Sequence, residues 1–247
     1  MKKIAVIEEI HKDGLNLLDK NPDYEYEIIT NVSEKNLITK LPRFDACTLR
    51  VSKLDENILK YCPNLKVISR HGVGYDNVDL NYIKKNNIFL LITATANAVA
   101  VAEHVLSMFL TLSKSIINYD KEVRADNFKK NADQIKTFEL FEKNILIAGF
   151  GRIGKKLIKR CLAFDTKVFV YDPYVDTDVI KKHGGVKIDN IEDGLKIADF
   201  VSLHMPLTPE TKNLINYSVI KKMKTNAIIV NTARGGIINE NDLEKAL

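Results

Sequence analysis

Cysteine is scarce in this chain of 247 residues. There are three, Cys47, Cys62 and Cys161, an odd number without the spacing of a metal cluster. That excludes a disulfide-stapled scaffold and a structural zinc site, so no metal is expected. Reduced, buried thiols in a cytoplasmic protein fit best. A long apolar run is also missing. The longest, 98–112, is interrupted by Glu103, His104 and Ser107, too short and too polar to span a bilayer. The opening MKKIAVIEEI meets Glu8 and Glu9 after one short apolar segment, so it reads as a strand and not as a secretory leader. The net charge of +5 is scattered over pairs such as Lys84-Lys85, Lys155-Lys156 and Lys221-Lys222. No basic block interleaved with aromatics is present, so a solvated surface is expected and not a nucleic-acid face. Neither a solenoid repeat nor a low-complexity tract is visible.

What is there is an ordinary globular composition, 45% hydrophobic and 28% charged, in a chain long enough for two medium domains. The first ninety-odd residues alternate apolar runs (3–7, 26–30, 46–49, 66–69, 88–92) with helical patterns (12–19, 34–40, 56–61, 80–86). Ser33, Asp55 and Asp79 stand at N-cap positions. Such alternation predicts parallel sheets with helices on both faces. Apolar residues at Val101, Val105, Met108, Leu112 and Ile116 predict one long helix over 97–126, followed by a polar stretch over 127–136. A second alternation then includes strands over 200–203 and 227–231. The expectation is an α/β chain of two doubly wound domains joined by the long helix, with a ligand cleft between them.

The richest segment is 144–172, NILIAGFGRIGKKLIKRCLAFDTKVFVYD. It reads as strand, glycine turn, helix with Leu157, Ile158, Cys161 and Leu162 on one face, strand, and terminal acid. That is the layout of a dinucleotide-binding unit. Gly149 permits a tight turn, Gly151 lets backbone approach a pyrophosphate, and Gly154 lets the helix pack closely on the sheet. Free N–H groups and the dipole at the helix start favour anions. Asp172 can accept both hydroxyls of an adenosine ribose and would repel a 2′-phosphate, so NAD is expected over NADP. A glycine-rich turn without a ligand is the plainer alternative.

Three further segments end strands. His204-Met205-Pro206 closes one, and there His204 either faces a cofactor or only caps the strand and orients the loop. Thr232-Ala233-Arg234-Gly235-Gly236 closes another, placing a guanidinium that matches a carboxylate. Arg70-His71-Gly72-Val73-Gly74-Tyr75-Asp76-Asn77-Val78-Asp79 follows a third. Its glycines can turn N–H groups toward an anion, with Arg50 and Arg70 adding positive charge.

These residues together resemble the D-isomer-specific 2-hydroxyacid dehydrogenases, and within them the D-3-phosphoglycerate dehydrogenase branch. The glycine turn ending on Asp172, the segment 195–216 with His-x-Pro, and 223–239 with Asn231-Thr232-Ala233-Arg234-Gly235 match the three family signatures in order. Segment 70–79 matches the family's substrate loop. The resemblance runs from residue 3 to 247. It implies a flavodoxin-like substrate domain, residues 1–96, and a Rossmann NAD-binding domain, residues 97–247. Its implied reaction is hydride transfer between NAD and the 2-carbon of a small 2-hydroxy or 2-keto acid, possibly 3-phosphoglycerate. In the implied roles Arg234 is the catalytic arginine, Arg152 and Ile153 offer N–H groups to the pyrophosphate, and Asp172 holds the ribose. Val73, Met205, Thr232 and Ala233 line the nicotinamide side, and Val73 and Gly74 present N–H groups to the substrate carboxylate. Arg50 and Arg70 match positions where phosphoglycerate dehydrogenases carry substrate-binding arginines. The long helix is expected to make a homodimer. The family's acid/base His and its Glu lie downstream of the arginine signature. Residues 1–247 therefore represent the second domain without its C-terminal part, and negligible turnover is expected of them. An inactive NAD(H)-binding module or corepressor-like protein stays as the alternative. Glu142 stands where the family commonly has Gly.

Overall fold

Short apolar runs separated by capped helices need neighbours to hide both faces, and parallel β/α winding supplies them. The computed structural model describes residues 1–131 and 134–247. The polar stretch expected over 127–136 thus falls partly outside the described residues, at Ala132 and Asp133. Two compact units form, Met1–Asn97 and Ala98–Leu247.

Unit 1 runs β1 (Lys2–Ile7), α1 (Lys12–Asp19), β2 (Tyr24–Ile29), α2 (Glu34–Lys40), β3 (Ala46–Leu49), α3 (Glu56–Leu59), β4 (Val67–Arg70), α4 (Leu80–Lys85) and β5 (Phe89–Ile92). The strands are parallel in the order β2-β1-β3-β4-β5, the flavodoxin-like winding that the family resemblance implies. Asp55 and Asp79 accept from the N–H of Asn57 and Tyr82 as N-caps should. Ser33 occupies its N-cap position without a side-chain bond. Ala5, Ile7, Leu37, Leu49, Leu59 and Ile68 build one core.

Unit 2 opens with α5 (Ala98–Ser113), α6 (Ile116–Arg124) and α7 (Phe128–Asn131). It continues with β6 (Asn144–Ala148), α8 (Arg152–Leu162), β7 (Lys167–Tyr171), α9 (Thr177–Lys182), β8 (Val186–Lys187), α10 (Ile191–Ile197), β9 (Phe200–Leu203), α11 (Tyr217–Ile220), β10 (Ile228–Asn231) and α12 (Glu240–Ala246). The parallel order is β10-β9-β6-β7-β8, the Rossmann winding. Successive β6 residues serve opposite layers. Ile145 and Ile147 join a core with Val105, Phe109, Leu157 and Phe200, whereas Leu146 and Ala148 join one with Leu195, Val201 and Ile215.

The single long helix expected over 97–126 does not form. Ser115 adopts a left-handed conformation, φ 48°, and α5 and α6 are bent by 59° there. The break is tertiary in origin. Ser115 Oγ donates to the carbonyl of Lys136 at 3.0 Å, and the Phe138 N–H donates to the carbonyl of the buried Ser113 at 2.9 Å. The returning chain thus takes polar groups that a continuous helix would need. The buried face of α5 is also offset from the expected stripe. It carries Ala98, Ala102, Val105, Phe109 and Ser113, while Leu112 and Ile116 are exposed. Packing against α8 favours the small residues, because they let two helices approach closely. Among the described residues no single helix is long and apolar enough to cross a membrane. All three cysteines are buried, which pushes the Cys62 and Cys161 thiols up to about 11 and about 12 and Cys47 higher still.

Candidate functional site

In unit 2 the strand register aligns one row, Tyr171–Ala148–Leu203–Asn231. All strands are parallel, so the residues that follow form the next row at the carboxyl edge: Asp172, Gly149, His204 and Thr232. With strands about 4.8 Å apart, that row spans about 14 Å. It lies across the reversal of strand order between β6 and β9, where open α/β sheets hold ligands.

Gly149 is left-handed, φ 102°, and a Cβ there would stand 2.7 Å from the His204 carbonyl oxygen. Only glycine fits. A Cβ on Gly154 would strike the Gly149 carbonyl oxygen, which is what lets α8 start so close under the turn. Gly151 is different, because a Cβ there would meet nothing within 4 Å. Its face is open, and no side-chain cap takes the first N–H groups of α8, those of Arg152 and Ile153. An open glycine at the start of an 11-residue helix suits a pyrophosphate.

Asp172 Oδ2 accepts from the Phe150 N–H at 2.7 Å and Oδ1 from the Tyr174 N–H at 2.9 Å. One carboxylate thereby ties the glycine turn to the end of β7. Each oxygen keeps a lone pair, so the group that braces the turn can also accept hydroxyls.

Burial holds the His204 imidazole neutral, its pKa lowered to about 4. Its Nε2 lies 2.8 Å from Ser202 Oγ, a fully buried hydroxyl, and the His204 backbone N–H donates to the Ala148 carbonyl at 2.7 Å. The plainer expectation, a histidine that closes the strand and orients the loop, accounts for these contacts. Its Nδ1 and the Thr232 Oγ1 are buried without partners, two polar atoms on adjacent strand ends that a bound polar group would satisfy. Met205 is only 8% exposed and packs in the apolar layer with Leu203 and Ile215.

After β10, Asn231 shapes the arginine loop. Its Oδ1 accepts from the Ala233 N–H at 3.0 Å and its Nδ2 donates to the Arg234 carbonyl at 2.8 Å. Arg234 is half-buried, and its Nη1 donates to the Ala233 carbonyl at 2.7 Å. Gly236, at φ 79°, lets the chain leave the loop, and its carbonyl accepts from the Asn213 N–H.

In unit 1 the corresponding edge carries Glu8, Arg50 and the loop after β4. Glu8 is left-handed, φ 65°, and its Oε2 accepts from the N–H groups of Val51 at 2.8 Å and Ser52 at 3.2 Å. Arg50 is exposed, with Nη1 donating to the Glu9 carbonyl at 3.0 Å. Arg70 donates through Nη1 to the His71 carbonyl and through Nε to Asn77 Oδ1. Gly72, Val73 and Gly74 are half-buried, and the Gly72 carbonyl accepts from Thr93. Glu8, Asn77, Asn231 and Ser202 were not singled out from sequence. The signal available was modest: an acid directly after a buried strand, and Asn at the start of a tight turn.

The family model for the D-isomer specific 2-hydroxyacid dehydrogenase NAD binding domain matches residues 106–247, more than half the chain. The chain belongs to the D-isomer-specific 2-hydroxyacid dehydrogenase family. Its second unit is the NAD-binding Rossmann domain of that family. The chain is 34% identical to D-3-phosphoglycerate dehydrogenase of Methanocaldococcus jannaschii over 248 residues, covering 100% of itself and 47% of that protein. It is 36% identical to hydroxypyruvate reductase of Thermotoga maritima, covering 98% of itself and 77% of the relative. The chain thus spans about half the length of the phosphoglycerate dehydrogenases it matches. Among solved structures, D-lactate dehydrogenase from Aquifex aeolicus complexed with NAD and lactic acid superposes with a TM-score of 0.86 at 31% identity. That match covers 98% of this chain and 72% of the other.

Proposed function

We propose that this protein transfers a hydride between NAD and the 2-carbon of a small D-2-hydroxy acid, with unit 2 holding the dinucleotide. The observation that carries the reading is the row Asp172–Gly149–His204–Thr232, one continuous edge from a ribose-accepting carboxylate to the arginine loop. Gly149, Gly151 and Gly154 with the Arg152 and Ile153 N–H groups would hold the pyrophosphate, and Asp172 the ribose. Thr232, Ala233 and Met205 would flank the nicotinamide. When bound, NAD supplies the hydride acceptor for oxidation of the hydroxy acid, or NADH the donor for reduction of the keto acid. Arg234, steadied by Asn231, would bind the keto acid and draw electron density toward its oxygen. The Val73 and Gly74 N–H groups would take the carboxylate. Arg50 and Arg70 support an acid with a second anionic group, such as 3-phosphoglycerate, and the likeness to phosphoglycerate dehydrogenases supports the same choice. Exposed Leu112, Ile117, Val123 and Phe128 on α5, α6 and α7 support a homodimer.

One observation favours the second reading, an NAD(H)-binding module without turnover. His204 is the only histidine at a strand end of unit 2 among the described residues, and it is neutral and engaged by Ser202. An assay of NADH oxidation with hydroxypyruvate and phosphohydroxypyruvate separates the two. Turnover near the ~1–10³ s⁻¹ of working enzymes supports the dehydrogenase, and binding without turnover supports the module. Cofactor choice is tested by titrating NADH and NADPH. NADH should bind at least about tenfold tighter, and Asp172→Ala should weaken NADH and shrink that gap. Equal affinities in the unaltered protein would overturn the assignment of Asp172.

A further inference from the structure

One amide side chain joins the two basic loops of unit 1. Asn77 Oδ1 accepts from Arg70 Nε at 3.3 Å, while its Nδ2 donates to the carbonyls of Arg50 at 3.1 Å and Ser52 at 2.7 Å. Its backbone is fixed against the same segment. The Asn77 carbonyl accepts from the Leu54 N–H at 2.8 Å, and the Leu54 carbonyl accepts from the Asp79 N–H at 3.0 Å. From the other side Glu8 holds the Val51 and Ser52 N–H groups. The Arg50 segment and the Arg70 guanidinium are therefore tied to one side chain. We infer that Asn77 is a positioning residue for acid recognition. It fixes the spacing of Arg50 and Arg70 so that the pair reads the second anionic group of the acid. The inference rests on the reading of both arginines as substrate ligands. The chemistry requires an amide, with a donor toward two carbonyls and an acceptor toward a cation, and Asn supplies both on one short arm. Aspartate would keep the Arg70 bond but set a carboxylate against two carbonyl oxygens.

The test measures binding of D-3-phosphoglycerate and of D-lactate to the 247-residue protein by NMR titration, with NADH binding and thermal melting as controls. Asn77→Asp should weaken 3-phosphoglycerate by about tenfold, the scale of losing hydrogen bonds at a charged site. D-lactate affinity should stay within about twofold, and NADH binding should not change. Arg50→Ala and Arg70→Ala should each weaken 3-phosphoglycerate more than D-lactate. If both arginines matter and Asn77→Asp leaves the ratio of the two acids unchanged, the positioning role fails and the substrate reading survives. If neither arginine matters, the substrate reading fails and the inference with it. Equal losses of both acids alongside a lowered melting temperature would make Asn77 merely structural. Asn77→Gln, with the same amide on a longer arm, serves if Asn77→Asp does not fold. It too must change the ratio of the two acids, and an unchanged ratio overturns the role.

Discussion

In unit 1 the strand order reverses between β1 and β3, and in unit 2 between β6 and β9. Both reversals bring loop N–H groups to a carboxyl edge where an anion would be welcome. In unit 2 the residue after the first strand is Gly149, pressed against the His204 backbone, and the turn beyond it opens at Gly151. In unit 1 the equivalent residue is Glu8, whose own carboxylate takes the Val51 and Ser52 N–H groups. Unit 1 places its own carboxylate at that edge, whereas unit 2 places a glycine there that packs against backbone.

The comparison breaks most sharply at Gly149. Gly149→Ala places a Cβ 2.7 Å from a backbone oxygen at φ 102°, so it should cost about 3 kcal/mol or more and abolish NADH binding. Urea unfolding and NADH titration check both, and unaltered binding would refute the close-approach argument. Next in size is the acid sensitivity that His204 gives unit 2. The folded pKa of His204 is lowered from 6.5 to about 4. Between those values the unfolded chain binds a proton that the native state refuses. Stability is therefore full above pH 6.5 and falls as pH drops toward 4, by about 3 kcal/mol in all. His204→Gln should flatten that slope in chemical melts at stepped pH, and an unchanged slope would point to other groups.

Smaller effects sharpen the unit 1 side. Glu8→Ala strands two N–H groups and should destabilise unit 1 by about 1–2 kcal/mol, read as earlier hydrogen exchange at Val51 and Ser52. Protection equal to the unaltered protein would mean that water replaces the carboxylate without loss. The smallest change expected is a gain. Glu142 sits at φ 58°, and the family resemblance places Gly there. Glu142→Gly should stabilise unit 2 by about 0.5–1 kcal/mol, seen as a small rise in the urea midpoint. A fall would show that the Glu142 side chain makes a compensating contact.

Much of this was legible before any coordinates. β3 and β9 and helices α1 and α2 match their expected spans, and Asp55 and Asp79 cap as read. These depend on alternation, apolar runs and caps, all set within a few residues. The Gly149–Asp172 unit was legible for the same reason. The bracing of its turn by Asp172 was not, because Phe150 and Asp172 lie 22 residues apart. The two-residue β8 carries too few residues for a periodic signal.

Sequence alone determined the parallel β/α alternation, the glycine turn, the acid that follows β7 and the arginine loop after β10, because each arises from local residue pattern or backbone freedom, while the family resemblance implied the two windings. Tertiary structure alone decided three things. Ser115 breaks the connecting helix because Lys136 and Phe138 return to claim its polar groups. His204 is neutral because Ser202 and the surrounding layers exclude water. Glu8 and Asn77 hold the basic loops because β1, β3 and β4 lie side by side. In each case the partner is distant in sequence, and only folding sets the distance at which a hydrogen bond or a desolvated ring acquires its energy.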